Sequence, residues 1–561
     1  MSEMILPGTY IEVRPEGLIV PGRVAVNTVG VVGTAAKGPV DSPRFLSSYT
    51  EARAIFGEYD AWDKDNPDEV LTLVRALEQA FTHGATTVIA VRIGEGEAKA
   101  SHMLNSATGP CCNLEAKTAG EWGNEIEVNV TDADTHSYVR DEEHPGGATG
   151  GAAITLKYSP VVASARNRIS LFVNADQRTK VFNITDNDPP VDPGQVNIAT
   201  NGTLTFSANE EPEDADTLTA SYVVNQSASA KVTLRYGTVE EVYVVANGND
   251  LADDINNDSA LANATADANA VELPTKFADF QLFGTGTNTR GDNGVTNVST
   301  DDYKAGLDKL MGEAAHIVVA AGQNHSDFGA DLTAHCQVAS SDLNKRERIG
   351  IIGSALKESF DSIRGHNLNS DRIVFVAPGI EATDAATGDR VTLPGAYTAA
   401  AVAGLMSSFS AHISLTNKPL AIAGLEQTYT NAELTQLVDL EVRVLALQNK
   451  LGFKVVKGIT TSTNTAWHQI TTRRIVDFAK FGVRSAADPY IGLLNNERVR
   501  GALRATVNSF LAEMVEDEKL ISYDLDVSAT REEERKGIAR VTIVLRPVFS
   551  IDFIKVTMFL E

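Results

Sequence analysis

A chain of 561 residues is too long for one core of ordinary size, and its 43% hydrophobic and 22% charged residues are the balance of a soluble globular protein of two to four domains. No apolar run approaches the length that spans a bilayer, and a formal charge of −26 argues against a nucleic-acid backbone as the main partner, since phosphate contacts need clustered Lys and Arg. Three cysteines, Cys111, Cys112 and Cys336, make neither a disulfide framework nor a CxxC pair and read as buried reduced thiols of a cytosolic protein.

The opening MSEMILPGTYIEVRPEG has no basic start and no unbroken apolar stretch, so it does not read as a secretory signal. Within it, residues 8–13, followed by Pro15 and Gly17, read as short, extended and separable from the first domain. Residues 24–32 read as a buried strand running into the turn-rich GTAAKGPVDSP. A helix is predicted from Thr50. The next is better marked: Asn66 can cap it, Pro67 suits its first position, Asp68 and Glu69 suit its dipole and Gly84 can end it. Its apolar face is Val70, Val74, Leu77 and Phe81, and a strand over 87–93 follows directly.

From Thr300 the same alternation resumes, with helices over 303–311 and 328–343, strands over 316–321, 349–353 and 373–377, and an Ala-rich helix after Pro394. Helices alternating with short apolar strands predict a mostly parallel sheet covered on both faces, an α/β domain split into residues 23–105 and 300–410. Between its halves, residues 106–299 predict an all-β insertion, with strands over 126–130, 169–173 and 239–245 punctuated by Asn, Asp, Gly and Pro. Charge follows this division. Residues 101–300 hold 11 Lys plus Arg against 28 Asp plus Glu, a net of −17, whereas residues 461–561 hold 14 of each.

Residues 411–547 read as an α+β domain. A helix over 432–439 precedes strands VRVLALQ and KVVKGIT, and a longer helix begins near Asn496 with Val499, Leu503, Val507, Phe510 and Met514 on one side. Strands over 521–527 and 541–545 would supply the sheet on which that helix packs.

A doubly wound sheet is a common enzyme scaffold, so chemistry has to be sought at a site. There is no GxxxxGK[ST] phosphate loop, GxGxxG fingerprint, GxSxG elbow or HExxH helix, and the glycine cluster GTGTNTRGDNG at 284–294 follows no strong strand. The acidic stretches DEEHP at 141–145, DNDPPVDPG at 186–194 and NGNDLADDINND at 247–258 read as solvated loops, the latter two also offering oxygens a calcium ion could use. No catalytic residue, metal ligand or cofactor is predicted.

The two ends stand out. VTIVLRPVFSIDFIKVTMFLE alternates through Phe549, Ile551 and Phe553, then changes phase to Ile554, Val556, Met558 and Leu560. It reads as strand throughout, and so apolar a strand must be covered, within the subunit or by another chain. With Tyr10, Ile11 and Val13 of the N-terminal segment it suggests strand donation, in which a guest strand completes a neighbour's sheet. The arms are placed at residues 1–22 and 548–561. Residues 473–504 carry Arg473, Arg474, Lys480, Arg484, Arg498, Arg500 and Arg504 against Asp477, Asp488 and Glu497, a local +4 that reads either as routine helix charge or as a face for an acidic partner.

These residues resemble a family. PGTYIEVRPEG, GVVGTAAKGPVDSP, HGATTVIAVRI, AGEWGNEIEV and RGDNGVTNVSTDDYKAGLDKL are similar in kind and order to tail sheath proteins of contractile bacteriophages, phage-like injection systems and R-type bacteriocins. So, more closely, are KGITTSTNTAWHQITTRRIVDFAKFGV, IGLLNNERVRGALRATVNSFLAEM and ISYDLDV. The insertion has no match. The resemblance implies sixfold rings stacked helically around an inner tube, both arms paired into neighbouring subunits, and a baseplate and terminator proteins at the ends. It further implies assembly in the bacterial cytoplasm, a long state that gives way to a short, wide one, and no cofactor. It places Arg473, Arg474, Lys480 and Arg484 on the tube side. The rival from composition and pattern is a cytosolic α/β enzyme with an acidic β-rich substrate-binding domain.

Overall fold

The structure, a computed structural model, describes residues 27–66, 70–145, 154–207, 212–213 and 216–560. The N-terminal segment with Tyr10, Ile11 and Val13 lies outside the described residues. Two compact units are present: residues 36–39 and 96–294 form one, and the rest of the described chain forms the other.

The larger unit is built on an eight-stranded sheet in the order Arg44–Leu46, Val88–Ile93, Val29–Thr34, Ile317–Ala320, Ile349–Gly353, Ile373–Ala377, Leu445–Asn449, Phe453–Val455. The six inner strands run parallel and the two edge strands antiparallel to them. Every residue of Val29–Thr34, Ile317–Ala320, Ile349–Gly353 and Ile373–Ala377 is buried. That is why these strands are unbroken apolar runs in sequence: a parallel sheet covered on both sides has no solvent face to mark with polar residues. Helices Thr300–Lys309 and His325–Ala339 cover one side through Tyr303, Leu307, Phe328 and Leu332, which join the core with Val32, Val91 and Phe375.

Two expectations are corrected in this unit. The helix expected from Asn66 begins at Leu73. The amides before it are taken by side chains from elsewhere, Leu71 N–H donating to Asp60 Oδ1 (3.0 Å) and Thr72 N–H to Thr34 Oγ1 (3.1 Å), which holds residues 71–72 out of the helix. The strands within VRVLALQ and KVVKGIT, assigned above to the C-terminal α+β domain, close the edge of the main sheet: Leu445–Asn449 pairs in parallel with Ile373–Ala377. Leu445, Ala446 and Leu447 are buried, so this strand belongs to the α/β core.

A second core in the same unit joins helix Ile470–Ala487, helix Glu497–Glu516 and the hairpin Leu520–Ser528/Arg540–Pro547 through Ile475, Ala479, Val507, Phe510, Leu511 and Met514. Asn496 caps the longer helix, its side chain accepting from Val499 N–H at 3.0 Å. The two helices approach closely at Gly482, where a Cβ would lie 1.9 Å from Phe510 Cζ. Phe510 is buried and stacked on Phe478, so its ring has no room to retreat. Gly482→Ala is therefore expected to lower subunit stability by about 1–3 kcal/mol, read as a lower midpoint in thermal unfolding.

The smaller unit holds two cores. One brings together the four-stranded sheet Val239–Val245, Ala230–Tyr236, Glu127–Asp132, Phe277–Leu282 and a three-stranded sheet around buried Cys111 and Cys112. The other lies within a larger sheet that contains Arg168–Val173, Arg178–Thr185 and Thr217–Val224. The insertion is not wholly β. NGNDLADDINND folds as helix Gly248–Asp258, capped by the Asn247 side chain, which accepts from Asp250 N–H at 2.8 Å, and it buries Leu251, Ala252 and Ile255. Three apolar residues at helical spacing were outweighed in sequence by the Asn and Asp around them. DEEHP likewise belongs to strand Ser137–Pro145, where Glu142 accepts hydrogen bonds from the Tyr222 hydroxyl and from Lys157 N–H (2.9 Å). No helix among the described residues is long and apolar enough to cross a membrane.

Candidate functional site: surfaces left open for assembly

In a doubly wound sheet, ligands bind outside the carboxyl ends of the strands where the strand order reverses. Here the reversal falls between Val29–Thr34 and Ile317–Ala320, and the crevice is filled by side chains. Thr72 Oγ1 accepts from Thr34 N–H (3.0 Å) and lies 3.2 Å from the Tyr303 hydroxyl, which donates to Ala321 C=O at 2.8 Å. Thr72 also closes on the two flanking glycines: a Cβ on Gly33 or on Gly322 would sit 2.7 Å from its side chain. Among the described residues no group of His, Cys, Asp and Glu has the arrangement of a metal site.

The basic segment does not form the exposed patch its local charge suggested, and the placement of Arg473 and Arg474 on a tube-facing surface is corrected. Both are buried. Arg473 bonds Asp371 and Asp477, each at 2.8 Å, and stacks over Trp467; Arg372 takes the same Asp477 in a fork at 2.9 and 3.1 Å. Arg474 donates to Asn27 Oδ1 (2.9 Å) and Phe409 C=O (3.0 Å), and burial lowers its pKa to about 10. Lys480 and Arg484 are partly exposed, but both are spent on Glu347, at 2.8 and 2.6 Å. Burial alone would raise the Glu347 carboxyl; the hydrogen bonds from Arg484 and Lys480 outweigh it and hold the pKa at about 2. Apart from Asp477 on the helix itself, the carboxylates that neutralise it, Asp371 and Glu347, lie more than a hundred residues away, so a sum over 473–504 could not count them. In the same segment Arg498 and Arg504 stay exposed on helix Glu497–Glu516 and have no ion-pair partner among the described residues.

Close by, Arg348 is fully buried and donates to Leu310 C=O, to Glu313 C=O and, at 2.9 Å, to His335 Nε2. Burial, then the neighbouring Arg348, pushes His335 down to about 4. The folded imidazole stays neutral while an unfolded one binds a proton below about 6.5. Stability from this group is therefore present above 6.5 and lost as pH falls through 4. Between those limits His335 is expected to contribute up to about 3 kcal/mol of acid destabilisation. Urea midpoints at pH 7 and 4.5 should accordingly differ less in His335→Gln than in the unmodified protein.

The hairpin Leu520–Ser528/Arg540–Pro547 is a two-stranded sheet, and neither outer edge pairs with another strand among the described residues. Beside it runs a mostly apolar groove lined by Val476, Ala479, Val483, Leu511, Ile543 and Leu545, together with Lys480 and Arg484, which are paired with Glu347. The C-terminal segment after Pro547, expected to be strand, has no secondary structure and covers neither feature. Its side chains are turned the wrong way for a segment belonging to its own subunit. Phe549, Ile551 and Phe553 are 61%, 81% and 85% exposed, while Ser550 and Asp552 between them are half-buried. Past the phase change Ile554, Val556 and Met558 are also exposed. Exposed apolar stripes on this scale mark interaction surfaces.

Unpaired strand edges, an apolar groove and an uncovered apolar segment within one fold, with the ligand crevice filled, define a building block for an assembly. Residues 462–561 match the family model of the phage tail sheath C-terminal domain. The chain is 23% identical over 318 residues to the tail sheath protein of Staphylococcus phage Twort, a match covering 54% of this chain and about half the length of that relative. In fold it is similar to the crystal structure of a sheath tail protein from Listeria innocua (TM-score 0.59, 14% identity, 95% and 94% of the two chains). It is similar also to the helical sheath of the anti-feeding prophage in its contracted state (TM-score 0.51, 11% identity, 99% of each chain). The resemblance read from the sequence is thus shown: residues 462–561 carry the phage tail sheath C-terminal domain, and the chain has the fold of sheath proteins.

Proposed function

We propose that this protein is the repeating subunit of a contractile sheath, stacked as sixfold rings wound helically around an inner tube and shortening to drive that tube through a target envelope. The observation that carries the reading is the segment 549–560, with its apolar side chains outward and Ser550 and Asp552 inward, on a domain whose hairpin leaves both edges unpaired among the described residues. Strand addition joins the two: the segment of one copy pairs with the hairpin of another, and its apolar side chains enter the groove beside Ile543 and Leu545. Tyr10, Ile11 and Val13 are the second donated strand. Assembly takes place in the bacterial cytoplasm, with baseplate and terminator proteins at the ends of the polymer.

Such a lattice needs no nucleotide. Work is laid down at assembly and released as interfaces repack while the paired strands hold. The tube side is assigned to Arg498 and Arg504, the cations of the basic segment with no carboxylate partner among the described residues, facing an acidic tube surface. Negative-stain images of the purified protein at high concentration should show striated hollow cylinders. Dispersed small particles under all salt conditions would refute the reading. Arg498→Glu with Arg504→Glu is expected to weaken assembly on the tube by about tenfold at physiological salt while leaving tube-free polymers intact; unchanged co-sedimentation with the tube would remove both from that interface.

A further inference from the structure

The apolar segment is not free from its first residue. Val548 N–H donates to Lys519 C=O at 3.3 Å, and Asp552 then takes three contacts: Thr416 Oγ1 at 3.3 Å, Gln469 Nε2 at 3.4 Å and Ser550 Oγ at 3.2 Å. The Lys457 ammonium lies over the Phe553 ring at 5.6 Å. Beyond Phe553 every described residue is exposed.

The acceptor site explains why a carboxylate stands at 552, the one acid among residues 548–560. Gln469 occupies the cap position of helix Ile470–Ala487, which has no capping side chain of its own and no acidic residue in its first turn. An 18-residue helix left uncapped at its positive end is stabilised by a negative charge placed there. Asp552, delivered from more than 80 residues away, provides it. Thr416 adds a third piece of chain, since its hydroxyl also accepts from Gly458 N–H (3.2 Å).

We propose that Asp552 is the positioning residue of the C-terminal arm, pinning residues 548–552 to the N-terminal end of helix Ile470–Ala487 so that only the chain beyond it reaches another copy. This rests on the strand-donation reading and sharpens it. The reach is that of residues 554–560, about 23 Å if fully extended, and its starting point is fixed to the helix that carries the second core. Pinning also fixes phase: with Asp552 turned inward, Phe549, Ile551 and Phe553 must face out, and the phase change at Ile554 then presents Ile554, Val556 and Met558 from the opposite side of the strand. A donated strand arrives in register because its root cannot roll.

The test uses the full-length subunit kept below its assembly concentration. Chymotrypsin should cut after Phe559 readily and after Phe549 slowly. Asp552→Ala should raise the Phe549 cleavage rate roughly fivefold while leaving the Phe559 rate unchanged. Gln469→Glu leaves the arm sequence intact and keeps an acid at the helix terminus, so the helix stays stable, yet it repels Asp552; it should produce the same selective release. Both variants should then give short or irregular sheaths in negative stain. Unchanged cleavage after Phe549 in both variants overturns the pin. Faster cleavage with sheaths of normal length overturns its part in assembly and leaves strand donation standing, whereas normal sheaths from a chain lacking residues 549–561 overturn strand donation itself.

Discussion

Deleting residues 549–561 is expected to leave a folded, soluble subunit that forms no long sheath. The folded state should survive because the lost residues contribute little to it: Asp552 supplies contacts of 3.2–3.4 Å and a charge at a helix end, together about 1 kcal/mol, and beyond it there is one cation over Phe553 and exposed apolar side chains. Thermal midpoints of the shortened and intact subunits should agree to within a few degrees. Assembly should fail because each copy forfeits a strand's worth of main-chain hydrogen bonds and the burial of several large side chains, each contributing about 1.5–3 kcal/mol when covered.

Single substitutions separate strand addition from nonspecific stickiness. If the distal arm pairs as a strand, Val556 and Lys555 point to opposite faces. Val556→Asp should then block polymerisation nearly as well as deletion, since its carboxylate would be desolvated against apolar side chains while the groove's two cations, Lys480 and Arg484, are held by Glu347, whereas Lys555→Asp should be tolerated. Equal effects at both positions, scored as sheath length by electron microscopy, would count against pairing.

How much of this was legible in the sequence depends on the kind of signal. The parallel sheet was readable because runs such as Ile349–Gly353 and Ile373–Ala377 are apolar without alternation, which only a doubly covered strand permits. Helix Glu497–Glu516 was readable from its spacing of Val507, Phe510 and Met514. Partnership was not. The sequence placed Leu445–Asn449 with the domain that follows it, because nothing local tells a strand which neighbour it will take, and the structure sets it against Ile373–Ala377. The basic segment failed for the same reason. Arg473 and Arg474 look like surface charge until Asp371, Asn27 and the carbonyl of Phe409 are brought to them by the fold. The apolar alternation of the C-terminal segment was visible in the sequence, but its root at Asp552 was not. A lone acid in an apolar run was the available signal, and its meaning lay in a helix terminus 83 residues earlier that lacks a cap.

Asp477→Ala is expected to be the most damaging single change away from the arms. Its carboxylate is shared by Arg372 and Arg473, at 2.8–3.1 Å, and all three side chains are at least nine-tenths buried. Removing it leaves the buried Arg372 guanidinium with no carboxylate and Arg473 with Asp371 alone, which costs about 3–5 kcal/mol, far more than the net stabilisation the intact cluster provides. The location makes the loss one of coupling as well as stability. Arg372 precedes the core strand Ile373–Ala377, and Asp477 lies in helix Ile470–Ala487, so the cluster rivets the helix that anchors the arm to the sheet of the α/β domain. A subunit with that joint loosened can donate a strand yet transmit no force from it. Urea midpoints should fall by about the amount stated, and Asp477→Ala combined with Arg372→Met should recover part of it by removing the uncompensated charge. If Asp477→Ala costs less than about 1 kcal/mol, the cluster is wet and the helix is held by its apolar face alone. If it costs the full amount, sheaths built from the double variant, stable but with a weaker joint, should assemble and contract incompletely under conditions that drive unmodified sheaths to their short state.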